Sequence, residues 1–335
     1  MKELYIRADM NAEIATGHVM RCLSIADAAA KMGIKCIFIA ADENPKSVIE
    51  GRGHGFICLH TDWHNKESEL LALKEIIIKN EVKHLIVDSY EVTTAYLRAL
   101  NEITDVSYID DVDAMEYPVN KIICYSRYAD EFKDSVNYRG SELILGNEYT
   151  PIRDLYIGMP PKEISEKIGR VLLLSGGSDS CHAIKKILSV FEDLKDIDVQ
   201  AICGRFNPDR DELMEKYKNS ENIYLCDQLE NLKEAMVKAD VAISAGGSTL
   251  NELCAVGTPT ITYSFADNQV PGVSRLHKDG IMDCAGDLRY DDVPSKVLKL
   301  LKKYNDPAFR KERSLIMQEL IDGRGAERIV RRIFK

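Results

Sequence analysis

A glycine-rich turn, Gly246-Gly247-Ser248-Thr249, follows the apolar residues 241–244 and precedes a helical pattern. Glycine lets backbone N–H groups approach a ligand closely. The first turn of a helix favours an anion through its unpaired amides and its dipole. The spacing therefore favours a diphosphate, with Glu252 one turn further on and within reach of a sugar hydroxyl. The alternative is an ordinary strand-to-helix turn that Ser248 or Thr249 caps.

The segment Ser175-Gly176-Gly177-Ser178-Asp179 repeats this arrangement after the apolar residues 171–174. Either turn alone could be an ordinary connection, but two in the same half favour a nucleotide cradle. Neither turn has the spacing G-x-G-x-x-G or G-x-x-x-x-G-K-[ST], which argues against a dinucleotide site and against an ATP-hydrolysing P-loop. His182, at the start of the next predicted helix, is expected beside the nucleotide.

In the first half, Arg7-Ala8-Asp9 ends the first predicted strand and Gly17-His18-Val19-Met20-Arg21 opens the first predicted helix. The positive potential at a helix start disfavours imidazolium, so His18 would be a neutral imidazole that can accept a proton. The other interpretation is a histidine that makes a structural hydrogen bond. The residues alone do not decide between His18 and His182 as a base.

Polar residues also follow three other predicted strands. The ends of parallel strands collect functional groups, because ligands bind at the carboxyl edge of the sheet. An Asp in such a place can equally cap the next helix, and an Asn-Gln pair can form an Asx-turn instead of binding sugar hydroxyls. The three segments are Asp88-Ser89-Tyr90, Asp110-Asp111 and Asp267-Asn268-Gln269.

Apolar strands and amphipathic helices alternate along most of the chain, which predicts parallel sheets covered on both faces. The alternation pauses at residues 137–167, where Gly and Pro cluster, and then restarts. The sequence therefore predicts an α/β protein with two doubly wound, Rossmann-like domains facing across a cleft. The expected domains are residues 1–150 and 168–335, with a linker at residues 151–167. The C-terminal helical tail, from about residue 306, belongs to the second of these.

The chain of 335 residues is 45% hydrophobic and 29% charged, with a formal net charge of −10. This composition is typical of globular proteins, and the absence of a basic stripe argues against nucleic acid. No apolar stretch reaches the ~20 residues of a membrane span, and the N-terminal residues do not resemble a signal peptide. Nine cysteines without a C-x-x-C pair indicate reduced thiols in a cytoplasmic protein. Neither a metal nor a cofactor is expected.

Taken in order over nearly the whole chain, these motifs resemble the UDP-sugar hydrolases of pseudaminic acid biosynthesis. The second half is also similar to the UDP-binding half of the GT-B glycosyltransferases. Two places depart from the hydrolase pattern: Asn251 replaces a frequent Trp, and Cys124-Tyr125-Ser126-Arg127-Tyr128 replaces an Asn-rich stretch. The motifs that carry the resemblance are Arg7-Ala8-Asp9, Gly17-His18-Val19-Met20-Arg21-Cys22-Leu23, Asp88-Ser89-Tyr90, Asp110-Asp111, Gly176-Gly177-Ser178-Asp179, Gly246-Gly247-Ser248-Thr249, Gly257-Thr258-Pro259, Ala266-Asp267-Asn268-Gln269 and Gly325-Ala326-Glu327-Arg328-Ile329.

The resemblance implies a GT-B-like fold and metal-independent release of UDP from UDP-2,4-diacetamido-2,4,6-trideoxy-β-L-altropyranose, by attack of water on the anomeric carbon with inversion. It implies His18 as the general base, with Tyr90 and Asn268 orienting the sugar or the water. It also implies that residues 246–249 hold the diphosphate and that Glu252 holds the ribose. The other residues expected to bind substrate are Arg7, Asp9, Gly17, Arg21, Asp88, Gly176, Gly177, Ser178, Asp179, Asp267 and Gln269.

Two alternatives to hydrolysis stay open at this stage. The chain could be a GT-B glycosyltransferase that passes the sugar of a UDP-sugar donor to an acceptor instead of to water. It could also bind a nucleotide sugar without catalysis, although the presence of His18, Tyr90 and Asn268 together favours an enzyme. The expected partners are in each case a UDP-sugar and UDP.

Overall fold

The computed structural model describes residues 2–11, 13–14, 16–176, 179–204, 207–226 and 231–335. The chain divides into two compact units: Met1–Leu155 with Gly323–Lys335, and Tyr156–Asp322. Each unit is built around one parallel sheet, as the alternation of strands and helices predicts. None of the helices within the described residues is both long enough and apolar enough to span a bilayer.

The sheet of the first unit has seven parallel strands in the order β3-β2-β1-β4-β5-β6-β7. Alternate residues of a strand face opposite sides, so a parallel sheet covered on both sides needs apolar residues throughout. In β1, accordingly, Leu4 and Ile6 enter one core and Tyr5 enters the other. The strands are β1 (Glu3–Ala8), β2 (Lys35–Ala40), β3 (Gly55–Cys58), β4 (His84–Asp88), β5 (Asp105–Ile109), β6 (Lys121–Cys124) and β7 (Glu142–Leu145).

Helices cover both faces of this sheet. The first helix buries Val19, Cys22 and Leu23 on one face, whereas the third and fourth helices bury Leu73, Ile77 and Leu97 on the other. The fourth helix starts where the Thr93 hydroxyl accepts a hydrogen bond from the Tyr96 amide at 3.0 Å, which satisfies an otherwise unpaired donor. The helices are α1 (Gly17–Lys31), α2 (Lys46–Glu50), α3 (Lys66–Lys79) and α4 (Thr94–Asn101).

The second unit has a parallel sheet of six strands in the order β10-β9-β8-β11-β12-β13. Its main core lies between one face of the sheet and the helices that bury Ile184, Leu213 and Val297. The strands are β8 (Arg170–Leu174), β9 (Asp198–Ile202), β10 (Ile223–Cys226), β11 (Val241–Ala245), β12 (Thr260–Ser264) and β13 (Asp283–Asp287). The helices are α5 (Ala183–Leu188), α6 (Arg210–Tyr217), α7 (Leu232–Lys238), α8 (Thr249–Val256), α9 (Val270–Lys278), α10 (Val293–Tyr304) and α11 (Pro307–Leu320).

Both sheets have a topological switch point, where the chain changes the direction in which it adds strands. In the first unit this point lies between β1 and β4, and in the second it lies between β8 and β11. Ligands of doubly wound sheets bind outside the carboxyl ends of the strands at such points. The fold thus selects the residues that follow β1 and β4, and those that follow β8 and β11, as candidates.

The structure differs from the sequence prediction at the domain boundary. Residues 137–167 look like a linker because of their glycines and prolines, yet β7 lies within this stretch and pairs with β6. The C-terminal helix α12 (Gly325–Ile333) packs against α1 and so belongs to the first unit. Its apolar residues Ile329 and Val330 are buried in the same core as Leu23. The expected second domain of residues 168–335 therefore lacks its last 13 residues in the structure.

Candidate functional site

A buried ion cluster lies at the switch point of the first unit. Asp88 is the last residue of β4, and His18 and Arg21 lie one turn apart at the start of α1. The His18 Nδ1 is 2.7 Å from Asp88 Oδ1. The Arg21 Nε and Nη2 donate to the two Asp88 oxygens at 2.6 and 2.5 Å. The strand end and the helix start thus bring together two motifs that the sequence predicted separately.

The charge of Asp88 sets the proton position on His18. Burial opposes ionisation of Asp88, but Arg21 and His18 overcome it and hold the pKa of the carboxyl well below its usual range. An ionised carboxylate only accepts hydrogen bonds, so the neutral His18 donates from Nδ1 and keeps its lone pair on Nε2. The Arg21 Nη2 lies 3.0 Å from the same Nδ1; as both nitrogens carry hydrogens, this contact is not a hydrogen bond. In that tautomer, Nε2 is the ring nitrogen with the free lone pair, and the role of His18 as a base stays a prediction.

Tyr90 borders the same cluster and is 46% exposed. Its ring meets the His18 ring edge-on at 5.0 Å between centroids, and its hydroxyl donates to the Asp111 carboxylate at 2.9 and 3.0 Å. Burial raises the pKa of Asp111 above its ordinary value. The second motif of the sequence, Asp110-Asp111, therefore adds an acidic group behind Tyr90, while Asp110 accepts a hydrogen bond from Tyr138 at 2.5 Å.

A second ion cluster lies at the end of β1 and is closed to solvent. Arg7 is fully buried and forms a two-pronged pair with Glu69 at 2.7 and 2.5 Å. It also pairs with Asp9 at 2.7 Å. Lys66 meets the other Asp9 oxygen at 2.5 Å, and the Tyr96 hydroxyl donates to Glu69 at 2.7 Å. Two cations and two anions balance one another inside the core.

This closed cluster changes how Arg7 and Asp9 can be understood. The sequence predicts both as substrate ligands because they end the first strand. In the structure their polar atoms are already occupied: Asp9 also accepts the Ala41 amide at 2.8 Å, and Arg7 and Lys66 hold its pKa low in spite of burial. The structure therefore places Arg7 and Asp9 in the support of the strand end, with no exposed surface on Arg7 for a ligand.

The two glycines at the end of β11 have different surroundings. A Cβ on Gly246 would lie 2.4 Å from Val273 Cγ2 and 3.0 Å from Gln269 Cβ, whereas a Cβ on Gly247 would have no atom within 4 Å. Gly246 thus allows the loop after β12 to pack against the end of β11. Gly247 faces open space, where its backbone could meet a ligand.

The start of α8 behaves differently from an ordinary capped helix. Ser248 is at the N-cap but makes no side-chain cap hydrogen bond, and the first helical residue is Thr249. The alternative of a Ser cap is therefore not realised, and two amides of the first turn donate instead to backbone carbonyls of the preceding turn at 3.1 and 3.0 Å. Glu252 lies in this first turn and is half-buried.

The loop after β12 continues this region, since β12 is the neighbour of β11 in the sheet. Its residues 267–269 form one turn of 3-10 helix. Asn268 is exposed, Asp267 pairs with Arg289 at 2.7 Å, and Gln269 accepts the Phe265 amide at 3.0 Å. Of these three, Asn268 has an exposed side chain, whereas Gln269 holds the loop, and their part in sugar binding stays a prediction.

The turn after β8 is described in part, because Gly177 and Ser178 lie outside the described residues. Gly176 is exposed and left-handed at φ +81°, with open space around its Cα. Asp179 is buried and accepts the amides of Ala183 and Ile184 at 2.7 and 3.1 Å. Its carboxylate therefore caps α5, the structural alternative for an Asp after a strand, and its part in ligand binding stays a prediction.

His182 and Gly17 complete the predicted set. His182 pairs with Asp209 at 2.6 Å and is half-exposed, in the second unit, at the start of α5. Gly17 is the exposed first residue of α1, next to His18, with no atom within 4 Å of a Cβ built on it. Each histidine thus has a carboxylate partner, but the His18 partner is fully buried and the more strongly constrained.

Besides Tyr96, sequence reasoning missed four participants in these clusters. Tyr125 accepts from Arg21 Nη1 at 3.0 Å, and Cys22 lies 3.4 Å from an Asp88 oxygen. Lys66 and Glu69 belong to the closed cluster. Their i, i+3 spacing on a predicted helix is a signal that two side chains share a face, but their partners 57 and 62 residues away along the chain have no local signature.

Residues 171–320 match the glycosyltransferase family 28 C-terminal domain. The matched segment lies inside the second unit and contains the ends of β8, β11 and β12. The chain is 28% identical over 286 residues to the UDP-N-acetylglucosamine--N-acetylmuramyl-(pentapeptide) pyrophosphoryl-undecaprenol N-acetylglucosamine transferase of Helicobacter acinonychis, over 78% of this chain and 76% of that protein. It is 24% identical over 279 residues to an uncharacterized protein of Methanocaldococcus jannaschii, over 77% of this chain but only 55% of that protein's length.

Solved structures resemble the whole chain in fold. MurG of Acinetobacter baumannii superposes with a TM-score of 0.72 at 13% identity, covering 100% of this chain and 99% of that chain. The UDP-GlcNAc 2-epimerase of Neisseria meningitidis superposes with a TM-score of 0.67 at 13% identity, covering 100% of both chains. The predicted fold class, two Rossmann-like α/β domains of the kind found in GT-B proteins, is therefore confirmed.

Proposed function

We propose that this protein is a nucleotide-sugar enzyme that transfers the sugar of a UDP-sugar to a hydroxyl acceptor. The observation that carries the proposal is the match of residues 171–320 to the family 28 domain. The α8 start, which has no side-chain cap, and the exposed Gly247 lie within this segment at a switch point. Such a helix start suits the diphosphate of a nucleotide. The Helicobacter relative is named as a UDP-N-acetylglucosamine-dependent transferase, which favours transfer over the hydrolysis that the motifs first suggested.

The chemistry assigned to His18 follows from its fixed proton. Its Nε2 would accept the proton of the attacking hydroxyl while the new bond forms between that oxygen and the anomeric carbon. The bond between the anomeric carbon and the β-phosphate oxygen breaks, and its electron pair leaves with UDP. The Asp88 carboxylate would stabilise the imidazolium that forms.

Hydrolysis is the second candidate, in which water takes the place of the acceptor. It is favoured by the cluster that His18, Arg21, Asp88 and Tyr90 form, since all four belong to the motifs shared with the UDP-sugar hydrolases of pseudaminic acid biosynthesis. The same base would serve both reactions, and the identity of the nucleophile separates them. The substrate of the hydrolytic reaction would be the UDP-2,4-diacetamido-2,4,6-trideoxyhexose that the resemblance implies.

The decisive experiment measures UDP release from a panel of UDP-sugars with and without a hydroxyl acceptor. The panel includes UDP-N-acetylglucosamine and the UDP-2,4-diacetamido-2,4,6-trideoxyhexose. The acceptor is a muramyl-pentapeptide pyrophosphoryl-polyprenol, as in the name of the Helicobacter relative. Transfer predicts UDP release that requires acceptor, whereas hydrolysis predicts equal amounts of UDP and free sugar without acceptor. NMR of the product then identifies the configuration at the anomeric carbon.

The His18→Asn variant tests the base in either reaction. We expect a decrease in kcat of about 10²–10⁴-fold, the usual contribution of a positioned general base, with UDP binding unchanged by calorimetry because the nucleotide is assigned to the second unit. Near-normal turnover by this variant would refute the role of His18. Failure of the wild type to bind UDP at all would refute the nucleotide-sugar proposal itself.

A further inference from the structure

Three side chains with metal-binding chemistry meet at the carboxyl ends of the two outer strands β2 and β3. They are Glu43, Cys58 and His60, and their ligand atoms all lie within 4.8 Å of one another. Within the described part of the chain, this is the one group of three His, Cys or acidic residues that close together. None of them belongs to the clusters of His18 or Arg7.

The backbone holds these ligands in place without any metal. The pairing of β2 with β3 ends at Ala40 opposite Cys58. Beyond it, the Leu59 amide donates to the Ala40 carbonyl at 2.8 Å and the Thr61 amide donates to the Ala41 carbonyl at 3.0 Å. The segment that carries Cys58 and His60 is therefore fixed against the start of the loop that carries Glu43. A site on strand ends supported in this way is preorganised.

The distance between the Cys58 sulfur and the His60 nitrogen fits a tetrahedral zinc site. The Cys58 Sγ and His60 Nδ1 are 3.4 Å apart. A tetrahedral zinc ion has Zn–S bonds of about 2.3 Å and Zn–N bonds of about 2.0–2.1 Å, which places two such ligands about 3.6 Å apart. Thiolate and imidazole ligands also favour zinc over magnesium or calcium.

The charges and the exposure of the three ligands suit a divalent ion that enters from solvent. A Cys58 thiolate and the Glu43 carboxylate would together balance the charge of a divalent ion, and His60 would bind as a neutral imidazole. Glu43 and His60 are exposed and Cys58 is half-buried, so an ion can enter from solvent and keep a water molecule as its fourth ligand. One cation already competes for the place, because Lys46 Nζ lies 2.9 Å from Glu43 Oε2.

We propose that Glu43, Cys58 and His60 form a binding site for a divalent transition-metal ion of the zinc type, with Lys46 as a built-in competitor. The ion would tie the loop after β2 to the end of β3. Ala41 in that loop donates to Asp9, so the site adjoins the closed cluster of Arg7. Sequence patterns do not predict this site, because positions 43, 58 and 60 do not have the spacing of a zinc motif. The two strands bring these residues together in the fold.

Co²⁺ alone is the probe, titrated into the full chain and followed by the charge-transfer absorption of a cobalt–thiolate bond. We expect one ion per chain, displaced by Zn²⁺, and loss of the absorption in Cys58→Ser. The matched control is Cys226→Ser. Cys226 also ends an outer strand, is half-buried, and donates to a backbone carbonyl at 3.7 Å, as Cys58 does. This control is expected to bind Co²⁺ like the wild type.

Two further variants keep the test independent of any folding defect in Cys58→Ser. The substitution of exposed His60 in His60→Asn should weaken Co²⁺ binding at least about tenfold, the smallest loss usual for a disturbed metal site. Lys46→Ala frees Glu43 and should strengthen binding by about two- to fivefold, the effect of removing a surface ion pair. The site does not exist if the absorption persists in Cys58→Ser, if His60→Asn binds normally, or if Cys226→Ser abolishes binding.

Discussion

Two ion clusters lie at the carboxyl edge of the same sheet and differ in how completely their polar groups are paired. Around Arg7, two cations and two anions satisfy each other in the core, and the Arg7 side chain is fully buried. Around Asp88, the carboxylate is equally buried, but its partner His18 keeps one nitrogen that no protein hydrogen bond in the cluster requires. Each cluster has a carboxylate held by arginine. Of the two, only the second contains a histidine, and that histidine lies beside an exposed tyrosine.

The difference between the two clusters shows that a position at a strand end does not by itself make a residue functional. A buried ion network with every partner in place supports the backbone, and breaking it leaves an uncompensated charge. A network that fixes one tautomer of a histidine and leaves the other nitrogen available prepares a reaction. Variants in the two clusters should therefore separate activity from stability.

The largest effect is expected from Asp88→Asn in the His18 cluster. An asparagine has the same shape, but its amide can donate to Nδ1 and stabilise the wrong tautomer of His18. We expect kcat to decrease by about a hundredfold or more with little change in the affinity for UDP. Steady-state kinetics on the accepted UDP-sugar, together with calorimetry of UDP binding, would check this. A variant with wild-type kcat would mean that Asp88 is purely structural.

The Asp88→Asn substitution should also change how the stability of the protein depends on pH in acid. The pKa of folded Asp88 is lowered, so its ion pairs contribute stability that is fully present above the unfolded value of about 3.9 and is lost as the pH falls toward the folded value. The wild type should accordingly lose stability below about pH 4 more steeply than Asp88→Asn does. Urea unfolding at several pH values measures this difference. Parallel pH curves for the two proteins would contradict it.

The sequence predicted the fold class and most strands, because hydrophobic periodicity is a local property. It missed β3 and β13, and it missed β7 because the glycines and prolines around that strand are typical of a linker. It placed α12 in the second domain because packing against α1 is a long-range contact. At the site, His18 and Asp88 were found as separate motifs. The hydrogen bond between them joins residues 70 positions apart in the chain. The closed Arg7 cluster and the close contacts of Gly246 also depend on residues that are distant in sequence, and no local spacing encodes such contacts.

In the Arg7 cluster, the substitution Glu69→Gln should lower stability and leave activity nearly unchanged. Removing one negative charge leaves two buried cations with one carboxylate, and such an imbalance costs about 3–5 kcal/mol in the free energy of unfolding. Denaturant unfolding measures this loss. Activity per folded molecule should stay within a few-fold of the wild type, because Glu69 is fully buried and its hydrogen bonds to described residues stay within its own cluster.

The matched control for Glu69→Gln is Glu212→Gln, the same substitution in an ion pair of similar length. Glu212 lies 2.6 Å from Lys185, but both side chains are exposed. Water already solvates such a pair, so its removal should leave the unfolding midpoint unchanged. If Glu69→Gln instead kept full stability and lost a hundredfold in activity, the closed cluster would belong to the reaction and the distinction between the two clusters would fail.

The smallest effects are expected in the second unit, at two neighbouring glycines. Gly246 is packed against other residues, whereas Gly247 faces open space. In Gly246→Ala the new methyl would meet Val273 at 2.4 Å, and overpacking of this kind costs about 1–3 kcal/mol. In Gly247→Ala the methyl meets nothing, so stability should change by less than about 0.5 kcal/mol. If the diphosphate approaches this backbone, however, UDP should bind at least about tenfold more weakly, the effect of about 1.4 kcal/mol. Thermal unfolding and UDP calorimetry on the two variants measure both quantities, and unchanged UDP affinity in Gly247→Ala would place the nucleotide elsewhere.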